Sequence, residues 1–138
     1  MIEDANNSII TLQSDLVVQQ DLVAVWTLRA ISNDFTNANL SGANLYNAKL
    51  EQVLLRNADL SNANLRYADL MYAYLDGTNL SGANLSNAYL YDAILFNGAD
   101  LTGANLSNAY LDGVNWDDTT CPDGTNSDNN GNTCVNNL

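Results

Sequence analysis

The chain is predicted to be an all-β solenoid of about four square coils stacked along one axis. Three observations predict this fold. A large apolar residue recurs every five residues from Phe35 to Trp116, giving seventeen centres of which fifteen are leucine. A small residue stands two positions before each centre, and it is alanine at thirteen of them. The period slips once, by one residue, near Gly98.

A period of five excludes the ordinary secondary-structure elements. In an α-helix, a step of five rotates successive centres by roughly 140°, so they would spiral over every face. In a flat strand, five is an odd number, so successive centres would alternate between the two faces. A chain that turns a corner every five residues instead points every centre inward. Four corners close a coil of about twenty residues, with coils about 4.8 Å apart. The slip at Gly98 then predicts a one-residue bulge at a corner.

The repeat unit also resembles a known family. The segments Ala38-Asn39-Leu40-Ser41-Gly42 and Ala83-Asn84-Leu85-Ser86-Asn87 are similar to the A(D/N)LXX units of pentapeptide-repeat proteins. The similarity covers residues 33–118, which we take as the repeat domain. It implies a right-handed quadrilateral β-helix whose interior is filled by the central Leu or Phe and the preceding Ala.

Residues 1–32 do not follow the five-residue period. The apolar residues Ile9, Leu12, Leu16, Val23 and Trp26 fall at helical spacing, which favours an amphipathic helix, although the valines nearby leave a strand open. A solenoid has an open end that needs covering. The sequence therefore predicts an N-terminal α-helical cap over the end near Phe35.

Residues 119–138 form a polar tail that contains both cysteines of the chain, Cys121 and Cys134. A disulfide between them is the favoured prediction, with a metal pair as the alternative. The disulfide would close a loop of about fourteen residues and contribute about 3 kcal/mol in the chain-entropy model. A disulfide is typical of an oxidising compartment.

The stretch from Thr120 to Gly131 also resembles the tail of exported cyanobacterial pentapeptide-repeat proteins. The resemblance implies the periplasm or the thylakoid lumen as the compartment. The chain begins Met1-Ile2-Glu3-Asp4, without the basic start of a signal peptide. We therefore expect that the leader of an exported protein has been removed from this chain.

Asn126, Asp128 and Asn130 alternate before Gly131, as ligands do at the start of a calcium loop. An EF-hand would need a glutamate where Asn137 stands, and only one of the three ligands is charged. Any calcium affinity is expected to be weak. The alternative is an ordinary hydrogen-bonded loop.

Composition excludes several classes of function. The formal net charge of −12 argues against nucleic acids and anionic membranes as partners. The chain has no histidine, no phosphate-binding glycine motif and no apolar run long enough to span a membrane. We expect a non-enzymatic protein without a cofactor, and a monomer.

The candidate binding surface is an aromatic patch that the twenty-residue coil period brings together. It comprises residues of one side and its adjoining corner, all outside the two inward positions of the repeat: Met71, Tyr72, Tyr74, Tyr89, Tyr91, Ile94, Phe96 and Tyr110. Aromatic-rich exposed patches often mark binding surfaces. Equally, aromatic ladders across neighbouring strands stabilise a sheet. Both interpretations remain open at this point.

The first functional hypothesis is a structural or protein-interaction module that binds a protein through the side of Tyr89, Tyr91 and Phe96. Exported family members generally have no assigned biochemical activity, and the resemblance implies no more than that. The second is a DNA mimic that inhibits a topoisomerase, as some family members do. Residues 33–118 carry ten acidic side chains and three basic ones, a net of −7 spread thinly. The third is a rod stabilised by calcium.

Overall fold

A computed structural model of the chain describes residues 33–135. Its backbone forms square coils in which each side pairs with the same side of the next coil through an isolated parallel β-bridge, with a separation of 20 residues at Lys49–Asp69 and Leu54–Tyr74. Within the described residues, the β-structure consists of these isolated bridges, and no extended strand is formed. The helical element is a short 3-10 helix, Ser127–Asn130. The predicted four-sided solenoid is therefore observed.

Each corner is a tight turn closed by the small residue of the next repeat. For example, the Ala63 N–H donates to the Leu60 carbonyl oxygen at 3.0 Å. The residue two positions after the centre has a positive φ, as in Asn62 at 58°. A turn with positive φ at its second central residue favours Gly or Asn, which explains the polar end of the repeat unit.

The interior is filled by the two inward columns of the repeat. Most central leucines and preceding small residues are buried, and Leu60, Leu70 and Leu80 are completely so. Burial in both inward columns decreases near the C-terminal end, where Ala109, Leu111 and Val114 are only partly buried. The residues predicted to form the core therefore do form it, and they leave the outward columns for any function.

The predicted bulge lies at the corner after Leu95. The bridge separation is 20 residues at Tyr74–Ile94 and becomes 21 at Asn79–Asp100. Gly98 adopts a φ of 81°, which a residue without Cβ tolerates at little cost. The Thr119 hydroxyl, one coil later, donates a hydrogen bond to the Leu95 carbonyl oxygen at this corner.

The coil continues beyond residue 118. Thr120 forms a parallel bridge with Asp100, and the side chain of Cys121 then occupies an inward, fully buried position in an eighteenth repeat. Cys121 and Cys134 form a disulfide, with their Cα atoms 5.3 Å apart. The favoured disulfide prediction is confirmed, and the cysteine in it replaces the leucine of a regular repeat.

Residues 122–135 cover the C-terminal end of the core, and we call them the C-terminal cap. Asn126 pairs with Thr120 in an antiparallel bridge. The fully buried Ser127 accepts a hydrogen bond from the Thr119 N–H at 3.0 Å and donates one to the Trp116 carbonyl oxygen. The predicted polar tail is thus packed onto the solenoid.

The predicted N-terminal capping helix lies outside the described residues. At that end, a small apolar pocket is lined by four inward side chains of the first coil and one of the second: Phe35, Leu40, Leu45, Leu50 and Leu55. Within residues 33–135, the structure contains no helix with the length and apolar character required to cross a bilayer.

Candidate protein-binding face

The aromatic patch is divided between two sides of the solenoid. Parallel bridges join Lys49, Asp69, Tyr89 and Tyr110 in one column, as the coil period predicts. The same side carries a second column, with Met71 and Tyr91, and ends at the corner residue Tyr72. We call these residues together the tyrosine face. Tyr74 and Ile94 lie on the adjoining side, where a bridge joins them, and Phe96 follows Ile94 by two residues.

Three tyrosines of the tyrosine face form a ladder. The rings of Tyr89 and Tyr110 are stacked with centroids 4.8 Å apart. The Tyr91 ring lies 5.8 Å from that of Tyr110 at an interplanar angle of 29°. Such contacts between neighbouring coils stabilise the sheet whether or not a partner binds. For these three residues, a structural role is sufficient.

The adjoining side is occupied by a charged cluster. Arg56 donates from Nε to Oδ2 of Asp76 at 2.6 Å, and its guanidinium carbon lies 4.7 Å from the centroid of the Tyr74 ring. Tyr74, Ile94 and Phe96 are half-buried. This part of the patch is therefore packed against its own chain and offers less free surface than the tyrosine face.

Tyr72 differs from the other tyrosines of residues 33–135 because it combines a left-handed backbone with the highest exposure and no ring contact. It is the most exposed tyrosine of the described chain, at 47%, and has a φ of 58°. A bulky residue in this left-handed region is unusual, because its Cβ approaches the carbonyl oxygen. No ring contact in residues 33–135 involves its side chain. A ladder role therefore does not explain Tyr72.

A surface pocket of about 290 Å³ lies at the edge of the tyrosine face. Its walls combine aromatic, apolar, charged and amide groups, supplied by Asn47, Lys49, Tyr67, Asp69, Met71 and Tyr89. The sequence-based patch contained only Met71 and Tyr89 of these. Tyr67 belongs by register to the neighbouring side, but its φ of 60° places it at the corner that borders the pocket. That conformation could not be deduced from the coil period.

The acidic side chains are dispersed over the described coils. Asp59 and Asp100 share a column but are separated by Asn79, and Asp69 is bridged to Lys49 and Tyr89. A DNA mimic needs phosphate-like charge in long rows. In the bridged columns of residues 33–135, no two acidic residues follow one another in adjacent coils.

The three calcium candidates are used in hydrogen bonds within the C-terminal cap. Oδ1 of Asn126 accepts from the Asp128 N–H at 2.8 Å, and Oδ1 of Asp128 accepts from the Asp118 N–H at 2.9 Å. Asn130 donates from Nδ2 to Thr125 Oγ1 at 2.7 Å. Within the described residues, no group of three or more His, Cys, Asp or Glu side chains could hold a metal ion. These contacts favour the hydrogen-bonded loop, and the calcium loop stays a prediction.

The sequence matches a family model described as pentapeptide repeats, in eight copies over residues 34–57, 68–95 and 83–115. No curated protein sequence matches the chain. Among solved structures, it is similar to HetL, a pentapeptide repeat protein involved in heterocyst differentiation regulation from the cyanobacterium Nostoc sp. strain PCC 7120. The identity is 33% and the TM-score 0.63, over 67% of this chain and 42% of that one.

Two further solved structures match a smaller share of this chain but a larger share of their own, with lower TM-scores. Rfr23 from the cyanobacterium Cyanothece 51142 is 47% identical with a TM-score of 0.45, over 59% of this chain and 58% of that one. A pentapeptide repeat protein from the Arabidopsis thaliana thylakoid lumen is 25% identical with a TM-score of 0.38, over 62% of this chain and 63% of that one. The chain thus spans less than two thirds of the length of each of these three proteins.

Proposed function

The chain belongs to the pentapeptide-repeat family, and on that premise we propose that it is a non-enzymatic protein-interaction module whose binding surface is the tyrosine face. The family fold is a right-handed β-helix, which presents flat sides and specifies no chemistry of its own. The proposal therefore depends on what these sides carry.

The observation that carries the proposal is the conformation of Tyr72. Asn and Gly occupy most of the positive-φ corner positions in this solenoid. Either residue at position 72 would have a lower conformational cost than tyrosine. Tyr72 makes no ring contact within residues 33–135, unlike Tyr67 at an equivalent corner, which contacts the Tyr46 ring. Tyrosine is, however, among the side chains that contribute most to protein–protein binding. Unfavourable backbone conformations of this kind are concentrated at functional sites.

We place this module in an oxidising compartment, the periplasm or the thylakoid lumen. The support is the Cys121–Cys134 disulfide, which involves both cysteines of the chain. Disulfides persist in exported proteins and are rare where thiols are kept reduced. A matched test is expression in the periplasm and in the cytosol of one bacterium, followed by thiol counting. The compartment is supported if folded, disulfide-bonded protein accumulates only after export.

The binding surface is tested by partner capture with matched variants. Wild type, Tyr72→Asn and Tyr46→Ser would be used to capture proteins from a native extract under oxidising conditions. The captured protein would then be purified and titrated. Tyr46 is the control, because it is similarly exposed, at 41%, but lies in a different column. Serine is compatible with that column, since Ser86 occupies it two coils later.

Loss of a tyrosine that dominates an interface weakens binding by about 30-fold or more. We expect that loss for Tyr72→Asn and less than about threefold for Tyr46→Ser. Capture of the same background by all three proteins, or equal weakening by both substitutions, would contradict the proposal.

A further inference from the structure

The pocket between Tyr67 and Tyr89 has the chemistry of a site for a cationic side chain. We infer that it accepts an arginine side chain from an extended basic segment of a partner protein. This inference rests on the proposed function, since it names the chemistry of the partner that the tyrosine face binds.

One carboxylate and two tyrosine rings line the pocket. Asp69 is bridged to Tyr89 in the next coil, and Tyr67 precedes it by two residues at the corner. The volume of about 290 Å³ lies just below the range of about 300–1,000 Å³ for pockets that hold whole small ligands. It therefore suits a single side chain. One face of the Tyr89 ring stacks on Tyr110, and the Arg66 guanidinium carbon lies 5.8 Å from the Tyr67 ring centroid, so a cation in the pocket would use the remaining ring faces.

Within residues 33–135, the carboxylate of Asp69 forms two long contacts, an ion pair with Lys49 and a hydrogen bond from Met71. Its side chain is only 13% exposed, and Lys49 Nζ lies 3.9 Å from Oδ2, which is long for a direct hydrogen bond. Oδ1 accepts from the Met71 N–H at 3.3 Å. An incoming guanidinium would form shorter, charge-assisted hydrogen bonds to this carboxylate, and it can do so through two donors at once.

The chain contains an internal example of the same recognition. On the adjoining side, Arg56 lies over the Tyr74 ring at 4.7 Å and donates to the Asp76 carboxylate at 2.6 Å. That cluster joins one guanidinium, one tyrosine ring and one carboxylate across adjacent coils. The pocket presents two rings and a carboxylate on the same repeat scaffold, with a lysine in place of the arginine.

The surrounding charge also favours a basic partner. Glu51, Asp92 and Asp112 belong to the tyrosine face or its corner, where Lys49 is the single basic residue in the described columns. The chain as a whole carries a formal net charge of −12. Charge complementarity of this kind accelerates encounter with a basic segment and orients it.

The test is an NMR titration of the full chain with an acetylated and amidated Arg-Ser-Arg-Ser-Arg peptide. The comparison peptides carry citrulline, which keeps the shape without the charge, or lysine. We expect the arginine peptide to shift the amide resonances of Tyr67, Asp69 and Tyr89, the lysine peptide to bind more weakly, and the citrulline peptide to leave them unchanged.

Two variants should change the affinity in opposite directions. Asp69→Asn should weaken binding of the arginine peptide at least tenfold, and Lys49→Met should tighten it severalfold by removing a competing cation. Asp59→Asn is the matched control, because it removes the same single negative charge and the Asp59 Oδ1 accepts from the Ser61 N–H in the same way. It should leave the affinity within about twofold.

Equal weakening by Asp69→Asn and Asp59→Asn would overturn the inference, because binding would then be non-specific charge attraction. Tighter binding of an acidic Glu-Ser-Glu-Ser-Glu peptide, lost in Lys49→Met, would also overturn it in favour of an anionic ligand. The proposed function is judged separately, by partner capture with Tyr72→Asn. If a captured partner requires Tyr72 but binds Asp69→Asn as tightly as wild type, the arginine site is contradicted and the proposed interaction module is retained.

Discussion

Tyr89 and Tyr110 lie 21 residues apart in the sequence, yet their rings stack with planes 1° from parallel. The odd separation exists only because the bulge at Gly98 adds one residue to the intervening coil. We expect the pair to contribute about 0.5–1.5 kcal/mol beyond the area that the rings bury. A double-mutant cycle of Tyr89→Ser and Tyr110→Ser, measured by urea unfolding, should report this coupling. Additive losses would show that the stack has no energetic role.

The left-handed backbone of Tyr72 predicts that its replacement by asparagine stabilises the protein. Relief of the steric conflict should raise the free energy of unfolding by about 1 kcal/mol, which corresponds to a melting temperature about 4 °C higher. Tyr67→Asn is the control at an equivalent corner. Tyr67 contacts the Tyr46 ring at a centroid distance of 5.6 Å, so its removal should bring a smaller gain or a loss. Destabilisation by Tyr72→Asn would mean that the side chain has a structural role.

The ion pair of Arg56 and Asp76 predicts an asymmetric mutational response. The Asp76 side chain is only 12% exposed, whereas that of Arg56 is 44% exposed. Arg56→Met should destabilise the protein by about 1–3 kcal/mol, because it leaves a mostly buried carboxylate without its charged partner. The double variant Arg56→Met, Asp76→Asn should recover part of that loss. Thermal unfolding of the wild type and the two variants measures this, and no recovery would show that packing of the arginine stem over Tyr74 dominates.

The buried disulfide predicts a redox-dependent stability. Reduction should lower the free energy of unfolding by about 3 kcal/mol, since the two cysteines are 13 residues apart. Both are fully buried, so the native protein should resist mild thiol reagents. Denaturant unfolding with and without dithiothreitol measures the difference. A Cys121→Ala, Cys134→Ala variant is the control and should be insensitive to the reagent.

Calcium is expected to leave the stability unchanged. The oxygens of Asn126 and Asp128 that a cation would need already accept backbone hydrogen bonds in the C-terminal cap. A ligand that binds the folded state raises the melting temperature with its concentration. A shift of less than about 1 °C in millimolar calcium, relative to magnesium, is therefore the expected result. A large calcium-specific rise in melting temperature would instead support the hypothesis of a calcium-stabilised rod.

Much of the fold was predictable because the period of five admits few structures. The inward columns, the bulge at Gly98 and the register that joins Lys49, Asp69, Tyr89 and Tyr110 all followed from counting residues, and the bridges agree. The C-terminal cap was not predictable in this way. Thr119, Thr120 and Cys121 continue the coil without the alanine and leucine that mark a repeat, and the buried Ser127 has no signature in a polar sequence.

The candidate site was predictable only in part. Register placed the tyrosines in columns, but it could not separate the stacked Tyr110 from the unstacked Tyr72, because ring packing depends on side-chain conformation. Nor did it bring Tyr67 to the pocket beside Asp69. That contact depends on a left-handed corner, which the sequence normally assigns to asparagine or glycine.

The C-terminal cap determines how the rod can come apart at its C-terminal end. In a stack whose coils contact only their neighbours, unfolding proceeds from whichever end is held less firmly. At one end, the last inward side chain is covalently joined to the segment that covers it, through Cys121 and Cys134. That end cannot separate coil by coil while the bond is intact. Pulling or proteolysis at this end should therefore remove the cap and the coil beneath it as one unit, and reduction of the bond should allow them to separate stepwise.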